Sequence, residues 1–205
     1  DLGKVERALQ EKKATRHPLA QLRLKAPIPS PSKVIAIGLN YMDHCREQNV
    51  PVPARPVVFA KFPSSIIGPS DPIVWDPGLT SQVDLEVELG VVMGRRARNV
   101  SQEHAMDYIF GFTVINDVSA RDLQFGDKQW VRGKSLDTFC PTGPVVVTTD
   151  EIANPHALAL RSTINGQMMQ DSNTSEMIFN IPYLISFLSQ AFTLEPGDLI
   201  ATGTP

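Results

Sequence analysis

Two cysteines, Cys45 and Cys140, are all that the 205 residues contain. A chain of this length with so few thiols is not held by a disulfide framework, and a reducing compartment is expected: the cytoplasm, or the mitochondrial matrix in a eukaryote. Long apolar runs are missing too. None approaches the ~20 residues of a membrane span, and the first residues lack the apolar segment of a secretory signal, so no membrane partner is expected. The basic excess of a nucleic-acid binder is absent, since the net charge is -3. Several common chemistries are excluded by motif. There is no G-x-G-x-x-G, no H-E-x-x-H and no G-x-S-x-G. Gly133-Lys134-Ser135 has the ending of a phosphate-binding loop, but Lys128 stands where that loop needs glycine.

Proline is abundant, at 17 residues, and clustered. The run from Ala26 to Ser32 marks off an N-terminal appendage or linker (1–32) from a main domain (33–205). Short apolar segments bounded by Gly, Pro, Asp and Ser then dominate. Val34–Gly38, Val57–Lys61, Pro72–Trp75, Val83–Met93, Phe110–Asp117, Gly143–Thr148, Leu158–Ile164 and Leu199–Thr202 read as strands. Asn165-Gly166 signals a hairpin into Gln167–Gln170. Helices are expected at Tyr41–Gln48, from Ser119 onward and at Ile181–Ala191, with a further turn at Ser101–Met106. Many strands and few short helices predict a β-rich α+β domain.

Within Val83–Met93, strand alternation puts Asp84, Glu86 and Glu88 on one face, roughly 6–7 Å apart. Carboxylates in a row resist ionisation unless something compensates them. A half-exposed polar strand is one reading and a hard-cation site the other. The strand continues into Gly90-Val-Val-Met93, apolar on both faces, so a polar face entering a core needs a partner. Asn116-Asp117 ends another apolar strand, where a third carboxylate can converge. Asp117 can equally serve as a helix-capping residue, because Ser119 with Asp122 has the capping-box spacing. Arg121 and Gln124 share one helix face; they suit a substrate carboxylate and carbonyl, or merely solvent. Asn40 and Asp43 form a second near-capping box. His44 and Glu47 lie at i and i+3, the arrangement of a general-base pair and also of an ordinary surface pair.

In order and spacing, Asn40-Tyr-x-x-His44, Asp84-x-Glu-x-Glu-Leu89, Asn116-Asp-Val-Ser-Ala-Arg-Asp122, Gly133-Lys134, Cys140-Pro-x-Gly143 and Thr202-Gly-Thr-Pro205 resemble the fumarylacetoacetate hydrolase family, over roughly 33–205. The resemblance implies a mixed β-roll or β-sandwich domain holding Mg²⁺ or Mn²⁺ (Ca²⁺ being possible in crystals), assembled as a homodimer. It implies Glu86, Glu88 and Asp117 as metal ligands and His44, Glu47 and Lys134 as catalytic residues. Gln124, Thr204, Arg121 and Lys61 are implied at or beside the substrate, a small 2-oxo acid or β-diketo acid. Family domains also continue past the position of Pro205. The implied activity is hydrolysis of a carbon–carbon bond in an acylpyruvate through a metal-stabilised enolate. Keto–enol tautomerisation or decarboxylation of oxaloacetate on the same site is the alternative, and a non-catalytic metal-binding scaffold the third.

Overall fold

The computed structural model describes residues 2–11 and 17–205. Asp1 and 12–16, part of the expected appendage, lie outside the described residues. In chain order the helices are α1 (Leu2–Gln10), α2 (Met42–Glu47), α3 (Arg121–Gly126), α4 (Val131–Lys134) and α5 (Ile181–Ala191). The strands are β1 (Val34–Gly38), β2 (Val57–Lys61), β3 (Ile66–Ile67), β4 (Val83–Asp84), β5 (Val87–Met93), β6 (Ile109–Asn116), β7 (Ser119–Ala120), β8 (Cys140–Pro141), β9 (Val147–Thr148), β10 (Ala159–Ile164), β11 (Gln167–Asn173) and β12 (Leu199–Ala201). One six-stranded mixed sheet, ordered β2-β1-β12-β5-β6-β9, organises them, with three two-stranded ladders around it. The expected β-rich α+β class is what the chain adopts.

The centre of the sheet is covered on both faces, which is why every residue of β5 is buried. On one face Ile35, Ile37, Leu89, Val91 and Met93 pack against Ile181, Leu184, Ile185 and Leu188 of α5. Asn180 caps α5 by accepting from the Tyr183 amide at 3.0 Å. On the other face lie Ala36, Ile115, Cys140 and Ala201. β1 runs parallel to β12, and β12 antiparallel to β5, which is antiparallel to β6. The C-terminal ends of β1, β6 and β12 and the N-terminal end of β5 therefore meet at one end of the sheet.

Some expectations fail locally. Pro72–Trp75 is not a strand: Thr138 Oγ1 accepts from the Val74 amide at 2.9 Å and donates to the Val74 carbonyl at 3.0 Å. One side chain thus stands in for a neighbouring strand. Gly143–Thr148 shrinks to β9, and Val83–Met93 breaks into β4 and β5 at Leu85-Glu86. There the Glu86 amide donates to Asn116 Oδ1 and the Glu86 carbonyl accepts from Asp117. Neither capping box forms. Ser119 belongs to β7 and donates to the Asp117 carbonyl, while Asp122 accepts from Thr80 at 2.5 Å. Asn40 donates to the carbonyls of Thr202 and Phe179 and accepts from the Phe179 amide. These side chains are spent on distant segments, leaving α2 and α3 without side-chain caps.

Candidate metal and substrate site

At the meeting end of the sheet, alternation along β5 turns Glu88 and the preceding Glu86 toward the Ile115 face, and Asp117 follows directly from β6. One oxygen from each of Glu86, Glu88 and Asp117 lies within 4.8 Å of the others, and all three residues are buried. Such a set, all of it carboxyl oxygen, matches the donor preference of a hard divalent cation. Asp84, on the same face of the sequence pattern, is half-exposed and stands outside the cluster, bound by Arg121 Nε and Nη2 at 3.0 and 2.8 Å.

Three cations neutralise the cluster. Lys134, buried on α4, places Nζ 2.7 Å from Glu86 and 2.9 Å from Asp117. Lys61, the buried last residue of β2, lies 2.6 Å from Asp117 and donates to the carbonyls of Lys134 and Val118. Arg121 Nη1 sits 2.6 Å from Glu86 and donates to Gln124 Oε1 at 3.0 Å. Burial pushes Asp117 up, but Lys134 and Lys61 more than offset it and hold the carboxyl below its usual range. Lys134 is raised: Asp117 and Glu86 outweigh the burial that would lower it. Glu88 is the exception. Burial, then repulsion from Asp117 and Glu86, pushes its carboxyl well above the ordinary value. Its hydrogen bond comes from the backbone amide of Gly203, at 2.8 Å. Gly203 has φ +102°, and a Cβ there would lie 2.8 Å from that of Asn40, so only glycine brings this amide so close. An additional cation would supply the compensation that Glu88 lacks.

A cavity of about 230 Å³ opens onto this cluster. His44, Glu86, Arg121, Gln124, Lys134 and Thr204 line it together. Thr204 Oγ1 is engaged, donating to the Val87 carbonyl at 2.9 Å and accepting from Gln170 at 2.7 Å. His44 and Glu47 make no hydrogen bond to each other, although Glu47 is near enough to pull the His44 pKa upward. The His44 ring is hydrogen-bonded to Gln48, Nε2 to Nε2 at 3.0 Å, while exposed Glu47 faces a separate hollow with Asp43 and Asp171. Burial lowers the His44 pKa below 6.5 against the pull of Glu86. Gln48 was legible as a partner, since i+4 on a helix is as near as i+3. Gln170, which accepts from the Val87 amide and donates to Thr204 and the Pro205 carbonyl, carries no local signal; the hairpin β10–β11 brings it in. Phe59 and Trp130, whose rings meet edge-on with centroids 5.3 Å apart, form a wall that sequence reasoning missed.

The chain thus presents a mixed α/β fold with a buried tricarboxylate at the end of its sheet, open to a small cavity. The chain belongs to the fumarylacetoacetate hydrolase family: residues 33–205 match the family's description, "Fumarylacetoacetate (FAA) hydrolase C-terminal". It is 51% identical over 190 residues to "Oxaloacetate tautomerase FAHD2B, mitochondrial" of Bos taurus, covering 92% of this chain and 60% of that protein. It is thus similar to about three fifths of the curated relative's length. Among solved structures it resembles 5-carboxymethyl-2-hydroxymuconate delta-isomerase from Mycobacterium smegmatis, with a TM-score of 0.84, 45% identity and coverage of 94% and 75%. It also resembles maleylpyruvate hydrolase from Sphingobium sp. SYK-6 in complex with manganese(II) and pyruvate, with a TM-score of 0.85, 36% identity and coverage of 99% and 70%. No helix among the described residues is long and apolar enough to cross a membrane.

Proposed function

We propose that this chain interconverts the keto and enol forms of oxaloacetate, using Glu86, Glu88 and Asp117 to hold a divalent cation, Mg²⁺ or Mn²⁺. The observation that carries this reading is that His44 and Lys134 line one cavity beside the carboxylate cluster, while Glu47 faces a separate hollow. Proton transfer needs one acceptor and one donor. Water activation by an oriented His–Glu pair needs Glu47 as well.

When bound, the cation supplies Lewis-acid polarisation of the 2-oxo oxygen. Lys134 has three N–H groups and uses two on Glu86 and Asp117, leaving one for the oxygen that gains charge. His44 Nδ1 has no hydrogen-bond partner. The Gln48 amide nitrogen donates to His44 Nε2, so the neutral ring carries its proton on Nδ1, and Nε2 holds the lone pair that takes the C3 proton once Gln48 gives way. Arg121 and Gln124 hold the substrate carboxylate side.

The names of relatives about half identical to this chain support tautomerisation. The manganese and pyruvate of one solved neighbour keep acylpyruvate hydrolysis as the second reading. Residues 33–205 are proposed as the catalytic unit and 1–32 as an appendage, in a homodimer, and in the mitochondrial matrix if the source is eukaryotic. The deciding experiment follows decay of oxaloacetate enol absorbance and cleavage of acetylpyruvate side by side, with Mn²⁺ and with chelator. Cation-dependent enol decay that Glu86→Ala abolishes is expected. Acetylpyruvate cleavage with enol decay at the buffer rate would refute the reading in favour of hydrolysis.

A further inference from the structure

The cavity has two unlike sides. One carries the polar groups described above. The other is formed by Ile37, Gly38, Leu39, Val50, Phe59 and Trp130, with Phe125, 71% exposed, at its edge. A four-carbon diacid, charged at both ends, makes no use of this second side. Nor is there a charge left to greet a distal carboxylate there. The lysine and arginine side chains that line the cavity, Lys134 and Arg121, both lie on the polar side, beside Glu86.

The aromatic wall is built, not incidental. Phe59 faces inward because β2 alternates, with Phe59 and Lys61 turned in and Val58 and Ala60 turned out. Its ring has the Lys134 ammonium 5.2 Å from the centroid on one side and Trp130 edge-on on another. Trp130 closes onto the end of β1, where residue 38 is glycine. A Cβ there would lie 2.5 Å from Trp130 Cζ3, so any larger residue displaces the indole. Phe59 and Trp130 contact each other edge to face, with centroids 5.3 Å apart, and together present one aromatic surface against which a planar aromatic group gains apolar burial and ring contacts.

We infer that the site also takes 3-aryl-2-oxo acids, tautomerising them with the 2-oxo acid head at the carboxylate cluster and the aryl ring against Trp130 and Phe59. This rests on the proposed keto–enol chemistry and extends it to a second substrate class. The step is an isomerisation. The C3–H bond breaks and its electron pair becomes the C2–C3 π bond. The C2–O π pair moves to oxygen, which gains a proton, and nothing is oxidised or released. In such an acid the C3 proton is flanked by the aryl ring, which delocalises the charge that builds there.

The test uses phenylpyruvate and oxaloacetate in parallel, with Mn²⁺, read as enol absorbance. The wild-type protein is expected to accelerate both, and Trp130→Ala to lower the phenylpyruvate-to-oxaloacetate ratio of kcat/KM by roughly tenfold or more. Trp130→Phe should retain most of that ratio. Gly38→Ala, whose Cβ would push the indole aside, should lower it as well, and decides the matter should Trp130→Ala not fold. An unchanged ratio in these variants overturns the inference. So does oxaloacetate turnover with none of phenylpyruvate, which leaves the oxaloacetate reading standing. Failure to turn over either acid removes both.

Discussion

Replacing Lys134 by methionine keeps the length and apolar stem of the side chain and deletes its charge. In the cation-free protein this leaves Glu86 and Asp117, each 2.7–2.9 Å from the lost ammonium, buried with Arg121 and Lys61 as their remaining counter-charges. Removing one partner of a buried ion pair costs about 3–5 kcal/mol, because the other partner stays desolvated and uncompensated. At about 2–4 °C per kcal/mol for a domain of 150–250 residues, Tm should fall by roughly 6–20 °C. The loss should be smaller at pH 4–5, where the carboxylates can protonate. A divalent cation reverses the effect by taking over the vacated charge role. Thermal unfolding with chelator and with Mn²⁺ therefore gives a sharp signature: a large deficit in chelator, mostly recovered with Mn²⁺, and a Kd for Mn²⁺ tighter than in wild type. A deficit under about 2 °C in chelator, or one that Mn²⁺ leaves unchanged, would refute the idea that Lys134 and a cation share one set of carboxylates.

Three further outcomes are expected. Because burial depresses the His44 pKa and the ring acts neutral, log kcat/KM should be flat through neutrality and fall only as pH drops below 6.5; an acid limb centred above 6.5 would contradict it. Burial and the neighbouring carboxylates raise the Glu88 carboxyl well above its ordinary value in the cation-free fold, so its contribution to stability is full below the unfolded value of about 4.5 and fades as pH rises through the folded value. A cation should favour the ionised carboxyl, so Mn²⁺ affinity should rise as pH increases from about 4.5, and an affinity independent of pH would count against it. Ile185, fully buried where α5 meets the sheet, should cost about 2–5 kcal/mol as alanine, seen as a lower urea midpoint with the slope unchanged.

How much of this was readable beforehand depended on the range of the physics involved. Apolar runs punctuated by Pro and Gly located β1, β2, β6 and α5 because each such element announces its burial in its own residues. Alternation put Glu86 and Glu88 on one face for the same reason. What failed was whatever relied on a partner far along the chain. Thr138 replaces a strand for Val74 from 64 residues away. Asn40 and Asp122 look like local caps, yet they bond 139 and 42 residues away. Asp117 joined the cluster as its turn suggested, but the three cations around it come from β2, α3 and α4, and no local pattern links Lys61 to Lys134. The His44 partner was a matter of one residue, since Glu47 and Gln48 satisfy nearly the same helical spacing and only the packing of α2 separates them.

The parallel pairing of β1 with β12 sets the order in which the pocket can come into being. Lys33 and Asp198 are hydrogen-bonded across 165 residues of sequence, and Glu88 receives its amide from a residue 115 positions later. During synthesis the early segments must wait, with their acidic residues solvated, until the strand that supplies Gly203 has left the ribosome. A cation held by this cluster thus cannot act as a folding nucleus, because closing loops this long comes late. Its capture would instead report that the pairing of β1 with β12 is complete, which makes cation retention a gauge of the fraction of a nascent or refolding population in which that pairing has formed.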